Sequence, residues 1–322
     1  MNRASTARIG IPSSQVVVVT GIGLAPPGVA TYDDLLGPLP GKGGFDPATG
    51  LSGREMRHKD RASRLALRAA ESALHHAGLT DANATFTGVA DSTAVVVSTN
   101  LGNADSVCEA TDTIAREGVR GLSPLGLPQT SSNVIAGWVA IRYGLRGPNL
   151  TVCNGVTSGL DALAWARNLM AAGRADTAVV VGVEPANGVT TKLLGEQSTD
   201  AAVAIVLETA SAAASRGARP FATITGYARA RNLAAALTSA GMTEETTVGL
   251  WLGGEASAEA GQLLAGTRRI DLEAEMGPLS GALGVLQCAA AAAHLESGAT
   301  GNVLATAGGP HHDAAAALLL TP

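Results

Sequence analysis

The stretch GLRGPNLTVCNGVTSGLDAL, residues 144–163, decides the fold. Leu150 to Cys153 is a short apolar run ending in turn residues, which predicts a buried strand. Gly155 then breaks the chain, and an Ala-rich helix runs on to Gly173 before the strand Ala178 to Gly182. Working outward, the same pattern returns near the other end. Gly155-Val156-Thr157-Ser158-Gly159 and Gly277-Pro278-Leu279-Ser280-Gly281 share Gly, Ser and Gly at matching positions. Each opens a long Ala-rich helix that reaches a glycine, Gly173 or Gly298, and then a strand, Ala178 to Val181 or Asn302 to Ala305. The chain therefore reads as an internally duplicated α/β protein with two βαβαβ-type halves. Val16 to Gly23, Thr93 to Ser98, Ala202 to Leu207 and Val248 to Leu252 supply further strands, and Asp60 to Gly78 an amphipathic helix. The expected halves are 16–210 and 211–322, the first carrying an insertion of about 103–147 that reads as a partner-binding element.

Composition agrees with this class. Hydrophobic residues make up 46% of the 322 and charged ones 15%, too apolar for a disordered chain. Trp, Tyr and Phe number three each, so Ala, Val and Leu must fill the core, which favours closely approaching helices and buried strands. The 22 basic and 27 acidic residues give a net charge of −5, which leaves no basic surface for nucleic acid. The longest apolar runs, such as Ala314 to Leu320, fall far short of the roughly 18 residues of a membrane span. Val16 to Val19 is too short for a signal-peptide core, so the expectation is a cytoplasmic protein without a membrane partner. Cys108, Cys153 and Cys288 are odd in number and widely spaced; they predict buried, reduced thiols, with Cys153 still in its strand.

Three motifs that look chemical lead elsewhere. The strand ending Gly21-Ile22-Gly23 suggests a dinucleotide fingerprint, but Pro26 occupies the third glycine position, and no cofactor is expected. Ser158 sits in G-x-x-S-G rather than G-x-S-x-G and is expected to cap the following helix. His58-Lys59-Asp60 and His311-His312-Asp313 place adjacent side chains that diverge, so they read as surface or loop residues and no metal site is expected. His75 and His76 fall in a last helical turn, where they complement its negative end.

Read together, VVVVTGIG at 16, GREMRHKDRASRLALRAAESALHHAGL at 53, GLRGPNLTVCNGVTSGLDAL at 144, GRADTAVVVGVE at 173 and GPLSGALG at 277 resemble the β-ketoacyl synthases, the condensing enzymes of fatty acid and polyketide assembly. The resemblance implies the duplicated thiolase-like α/β fold in α-β-α-β-α layers. It also implies a cysteine thiolate activated at a helix N-terminus, two histidines and oxyanion donors. Here Val156 occupies the nucleophile position. The family's His-Gly-Thr-Gly-Thr falls on Gly253-Gly254-Glu255-Ala256-Ser257, its second histidine on Pro278, and its upstream lysine near Glu273. Valine, glycine and proline have no proton to exchange, so no catalytic residues are expected.

Gly159-Leu160-Asp161-Ala162, Gly53-Arg54-Glu55 and Asp60-Arg61 narrow the likeness to the chain-length factor, the non-catalytic subunit of type II polyketide synthases. The shortened chain further resembles subunits of highly reducing, polyene-making systems. This implies a heterodimer with a cysteine-bearing ketosynthase, an acyl carrier protein met through the complex, and no cofactor. The implied interface includes Asn133, Trp138, Tyr143, Leu150 and Val152. Ala104, Val107, Cys108 and Thr111, recurring at helical spacing, would wall an acyl tunnel. Two other readings stay open: a divergent acyltransferase using Thr157, Ser158, His311 or Glu255, and a carrier-protein-binding scaffold.

Overall fold

The valine-rich runs become strands because β-branched side chains pack well on a pleated surface, and the Ala-rich runs become helices because alanine loses no side-chain entropy. A computed structural model describes residues 16–25, 29, 31–37, 56, 58–195, 199–243, 245–253 and 264–322. In order these form β1 (Val17–Leu24), α1 (Arg61–His76), β2 (Thr93–Ser98), α2 (Ala104–Glu117), α3 (Val134–Tyr143), β3 (Asn149–Val152) and α4 (Ser158–Ala171). Next come β4 (Thr177–Glu184), α5 (Gly188–Leu194), β5 (Ala201–Thr209), α6 (Ala210–Ser215), β6 (Ala222–Ala230) and α7 (Leu233–Ser239). The chain closes with β7 (Val248–Gly253), β8 (Arg268–Ile270), α8 (Leu272–Met276), α9 (Leu283–Glu296), β9 (Asn302–Ala307) and β10 (Ala315–Thr321).

These ten strands join one sheet in the order β3-β2-β4-β5-β1-β6-β10-β9-β7-β8. Read inward from either edge, the first five and the last five follow the same pattern: third, second, fourth, fifth, first. Directions repeat as well. β2 runs parallel to β3 and β4, and β7 runs parallel to β8 and β9, whereas β5 and β10 are antiparallel to their neighbours. Among the described residues, only Val17–Val19 against Ala222–Ile224 pairs strands across the two sets.

The period-2 alternation of each strand sends residues to two sides. The alternation is plain in β2, where Ala94 and Val96 join a central core with α4 and α9, while Val95 and Val97 join an outer core with α1 and α3. On the other side of the repeat, Trp251, Leu304 and Leu319 pack against Leu233 and Leu237 of α7. The two five-strand sets, joined at β1 and β6, thus face each other across α4 and α9, giving layers of helix, strands, helix, strands and helix. Gly21 and Gly23 let α1 lie almost on the strand: a β-carbon would meet Ala73 O at 2.5 Å and Ala69 O at 2.1 Å.

The structure corrects several local expectations. The repeat is offset by three residues from the sequence match, because the turn equivalent to Gly155–Thr157 is Ser280–Ala282. Gly155 and Ser280 both have positive φ, +69° and +44°, and the helices that follow begin at Ser158 and Leu283. Cys153 lies just past the end of β3, and both it and Cys108 are exposed; only Cys288 is buried. Lys59 is not a surface residue: it is buried with its ammonium 3.8 Å from the centre of the Trp138 ring, where the aromatic face offsets desolvation. His76 stacks between Tyr32 and Phe221 instead of serving only as a helix-end charge.

Candidate functional site: two facing turns at the helix N-termini

The C-terminal ends of β2, β3 and β4 converge on the N-termini of α4 and α9, the region where open α/β sheets bind ligands. Asn100, just past β2, joins the two equivalent turns. Its Nδ2 donates to Gly155 O and to Ser280 Oγ, each at 2.9 Å. Its Oδ1 accepts from Gly155 N at 3.1 Å and from Ser158 Oγ at 3.0 Å. Ser158 is therefore tied into the preceding turn, with its Oγ also accepting from Asn154 N, and Thr157 takes the helix N-cap position. Ser280 adopts the left-handed region without being glycine, a conformation costing about 1–2 kcal/mol that the Asn100 bond helps hold.

Glu184, at the end of β4, is buried and fully engaged. It accepts from Thr99 Oγ1 (3.2 Å), Asn100 N (3.1 Å), Leu101 N (2.8 Å) and Gly281 N (3.0 Å). Ser98 Oγ donates to Gly281 O at 2.6 Å. These bonds tie β2 and β4 to the turn before α9, on the far side of the repeat.

One turn into α4, Asp161 is 3% exposed and gathers a second cluster. Asn154 Nδ2 and Thr157 Oγ1 donate to it at 2.8 and 2.9 Å, and the Tyr227 hydroxyl donates as well. Arg229 Nε lies 3.7 Å from its carboxylate and donates to Thr157 Oγ1 at 3.2 Å. Burial, reinforced by the bond to Asp161, pushes the Tyr227 phenol above its ordinary value. Tyr227 and Arg229 belong to β6, so this cluster too crosses the repeat.

The positions singled out by sequence fall around this frame. Val156 sits half-buried in the first turn, between Gly155 and the buried Thr157. Gly253 ends β7, and Pro278 lies in the loop after α8, where Glu273 Oε1 accepts from Leu279 N at 2.8 Å. None of the three has a group that could transfer a proton or attack a carbonyl. Cys153 is no substitute: although it reaches solvent, partial desolvation, and secondarily the nearby Glu184 charge, push its thiol upward, away from the thiolate. Thr157 and Ser158 are buried and hydrogen-bonded to Asp161 and Asn100, while His311 is exposed; the structure does not bring them together. Glu255 lies outside the described residues. Among the described residues no group of three His, Cys, Asp or Glu could hold a metal.

The remaining sequence-selected residues divide by burial. Val107, Cys108 and Thr111 face outward on α2, and Ala104 is half-buried. Asn133 is exposed, Trp138 and Leu150 are half-buried, and Tyr143 and Val152 lie within the chain's own core. No described helix is long and apolar enough to cross a membrane. Sequence reading passed over Asn100, Glu184 and Tyr227, single polar residues without a motif. Ile141, within the segment Asn133 to Tyr143 expected at the interface, is 71% exposed, and Trp165, which sequence reading passed over, is 50% exposed despite lying in an apolar helical run.

The duplicated sheet and the facing turns define a thiolase-like α/β fold. The β-ketoacyl synthase N-terminal domain family matches residues 27–202, more than half of the chain, and the chain belongs to that family. It is 31% identical over 145 residues to the 3-oxoacyl acyl-carrier-protein synthase 2 of Vibrio harveyi, covering 44% of this chain and 34% of that protein. It is 30% identical over 264 residues to the granaticin polyketide putative beta-ketoacyl synthase 1 of Streptomyces violaceoruber, covering 66% and 62%. The chain thus spans about a third of the length of the first of these curated relatives. Among solved structures, the ishigamide ketosynthase/chain length factor superposes with a TM-score of 0.73 at 24% identity, covering 95% of this chain and 99% of that one. A type II polyketide synthase acyl-carrier protein in complex with its ketosynthase bound to the hexaketide gives 0.77 at 18%, again covering 95% and 99%. At these identities the structural likeness establishes the fold.

Proposed function

We propose that this chain is a non-catalytic ketosynthase-like subunit of the chain-length-factor kind. It pairs with a cysteine-bearing ketosynthase and, through the pair, meets an acyl carrier protein. The observation that carries the reading is Val156: the turn, the helix N-terminus and the hydrogen-bonded frame around it are intact, while the position itself holds an alkyl group. A helix N-terminus favours a negative charge there, and valine cannot supply one. With residues 16–210 and 211–322 taken as the two halves, the first offers the pairing surface. Among the described residues β3 has a strand neighbour on one side only, and α3 and α4, which contact it, carry the exposed Ile141 and Trp165. An exposed edge beside apolar side chains is a template for adding another chain.

In this reading the acyl chain grows on the partner's cysteine and extends along the outer face of α2, past Ala104, Val107, Cys108 and Thr111. The reach of that channel stops extension by steric refusal of the next unit, since each CH₂ kept in a dry channel is stabilised by about 0.8 kcal/mol and one that does not fit forfeits it. No cofactor is required. The test is co-expression with an active, cysteine-bearing ketosynthase, followed by size measurement and product mass spectrometry. The expected result is a one-to-one complex that makes product, with no turnover of malonyl units by this chain alone, even as Val156→Cys. Turnover by the purified chain without a partner sinks the reading.

A further inference from the structure

The dipeptide Asn-Gly occurs at Asn154–Gly155, in the turn before α4, and at Asn187–Gly188, at the start of α5. Such a pair is prone to deamidate itself, because glycine has no β-carbon to hinder its backbone nitrogen from attacking the asparagine Cγ. The reaction needs no enzyme and no oxidant. The Gly155 nitrogen bonds to Asn154 Cγ, its proton passes through water to Nδ2, and Nδ2 leaves as ammonia. Water then adds to either carbonyl of the cyclic imide, breaking a ring C–N bond and giving aspartate or isoaspartate. Asn154 and Gly155 are both exposed, so water reaches them. Both reacting groups are nevertheless engaged: Gly155 N donates to Asn100 Oδ1 at 3.1 Å, and Asn154 Nδ2 donates to Asp161 Oδ2 at 2.8 Å. The anchors are themselves fixed. Asn100 is also bonded to Gly155 O, Ser158 Oγ and Ser280 Oγ, while Asp161 is 3% exposed and bonded to Thr157 and Tyr227. At Asn187 the hold is local, its Oδ1 accepting from Val189 N at 3.0 Å and Thr190 N at 2.9 Å within the helix it caps.

We propose that Asn154–Gly155 is a latent deamidation site, held unreacted by Asn100 and Asp161, so that a lasting loosening of the turn before α4 is recorded as an irreversible covalent change that keeps the turn open. Closing the imide requires the Asn154 carboxamide to leave Asp161 and the Gly155 N–H to leave Asn100, so the rate follows the population of the opened turn. The product cannot regain the closed arrangement. Aspartate at 154 has no N–H to offer Asp161 and sets a second carboxylate against a buried one, which like charges disfavour. Isoaspartate instead lengthens the backbone by one carbon ahead of Gly155. The reaction involves no other chain, so it stands independently of the pairing reading above.

The test is peptide mass spectrometry of the full chain, following deamidation at Asn154 and at Asn187 in the same sample during incubation in mildly alkaline buffer. In the folded wild type, Asn154 should react more than about tenfold slower than in the chain unfolded by guanidinium chloride. Equal rates overturn the proposal. Asn100→Ala should raise the Asn154 rate by about tenfold relative to that at Asn187, whose hold it does not touch. Because Asn187 reports on global unfolding, a ratio left at its wild-type value, whether both rates rise together or neither does, also overturns it. Asn154→Asp, made directly, should lower the melting temperature of the full chain, whereas Asn187→Asp, which keeps a good helix cap, should not. An unchanged melting temperature for Asn154→Asp would overturn the claim that the reaction keeps the turn open.

Discussion

Helices α2 and α9 have the same length, 14 residues, and opposite fates. In α9, LGVLQCAAAAAHLE, twelve residues are buried; in α2, ADSVCEATDTIARE, none is. Small side chains serve different ends in the two. In α9 they allow backbones to touch: a β-carbon at Gly284 would lie 2.3 Å from Leu160 N, and one at Gly159 would lie 2.6 Å from Gly284 N. In α2 they face outward beside Val107 and Ile114, which are 40% and 44% exposed. A helix buried on all sides belongs to the fold, whereas one with no fully buried residue and apolar side chains facing outward has surface to offer another partner.

The sharpest way to break this contrast is Gly284→Val. The added carbons meet backbone rather than flexible side-chain ends, so α4 and α9 must separate. The expected loss exceeds about 3 kcal/mol, beyond ordinary overpacking, and reads as loss of the cooperative thermal transition. Ala104→Val on α2 should leave the transition unchanged. Comparable melting curves for the two variants would show that the glycine contact does not set the helix spacing.

Next in size is Asp161→Ala, which removes the acceptor shared by Asn154, Thr157 and Tyr227 in a buried site. Leaving such donors unpaired costs about 1–3 kcal/mol, measured by denaturant titration. Asp161→Asn, which retains an acceptor oxygen, should cost less. If Ala and Asn behave alike, the cluster does not tie β6 to α4.

These two sites also show what the sequence made legible. The repeated Gly-Ser-Gly stretches pointed to the duplication although the residues they match are not equivalent in the fold: Gly155 corresponds to Ser280, and Gly159 touches Gly284 rather than matching Gly281. The offset of three residues was hidden, because Ser280 takes the left-handed conformation that Gly155 takes in the other half, and nothing local signals a strained serine. That Val156 stands at the family's nucleophile position is what the resemblance implies, through an ungapped block of sequence, and it belongs to the proposed reading. Asn100, Glu184 and Tyr227 were not legible, because each acts across 55 or more residues of sequence and only the folded sheet makes them neighbours. Burial of Cys108 and Cys153 was expected from their apolar surroundings in sequence; the structure places one on an outward helix face and the other beyond a strand end, where neighbouring apolar residues turn elsewhere.

A smaller effect is expected at the entry to α1. Asp60 caps that helix by accepting from Ser63 N at 2.6 Å, but its other oxygen, Oδ2, is buried without a hydrogen-bond partner. Burial pushes its carboxyl above the ordinary carboxylate value. A raised folded-state value means that the stability it contributes is complete below the unfolded value and is lost as pH rises through the folded one. Asp60→Asn keeps a good cap and removes the buried charge. It should be neutral or stabilising by up to about 1 kcal/mol at pH 7, with the advantage shrinking as the solution is acidified through the folded-state value. An advantage that grows on acidification would mean the ionised form is the favoured one.

The smallest effect on the lone chain, and the most informative about α2, is expected from Val107→Asp and Ile114→Asp. Both residues already face solvent, so each change should stay within about 0.5 kcal/mol. The same variants should lose the complex with a cysteine-bearing ketosynthase in size-exclusion chromatography, because a carboxylate would be desolvated without a partner. Cys108→Trp and Thr111→Phe divide the outcomes further: if they preserve pairing but shorten the product by mass spectrometry, the outer face of α2 borders the growing chain. Unchanged product length with both substitutions would leave α2 as a contact surface only, and wild-type pairing by the aspartate variants would move the interface off this helix altogether.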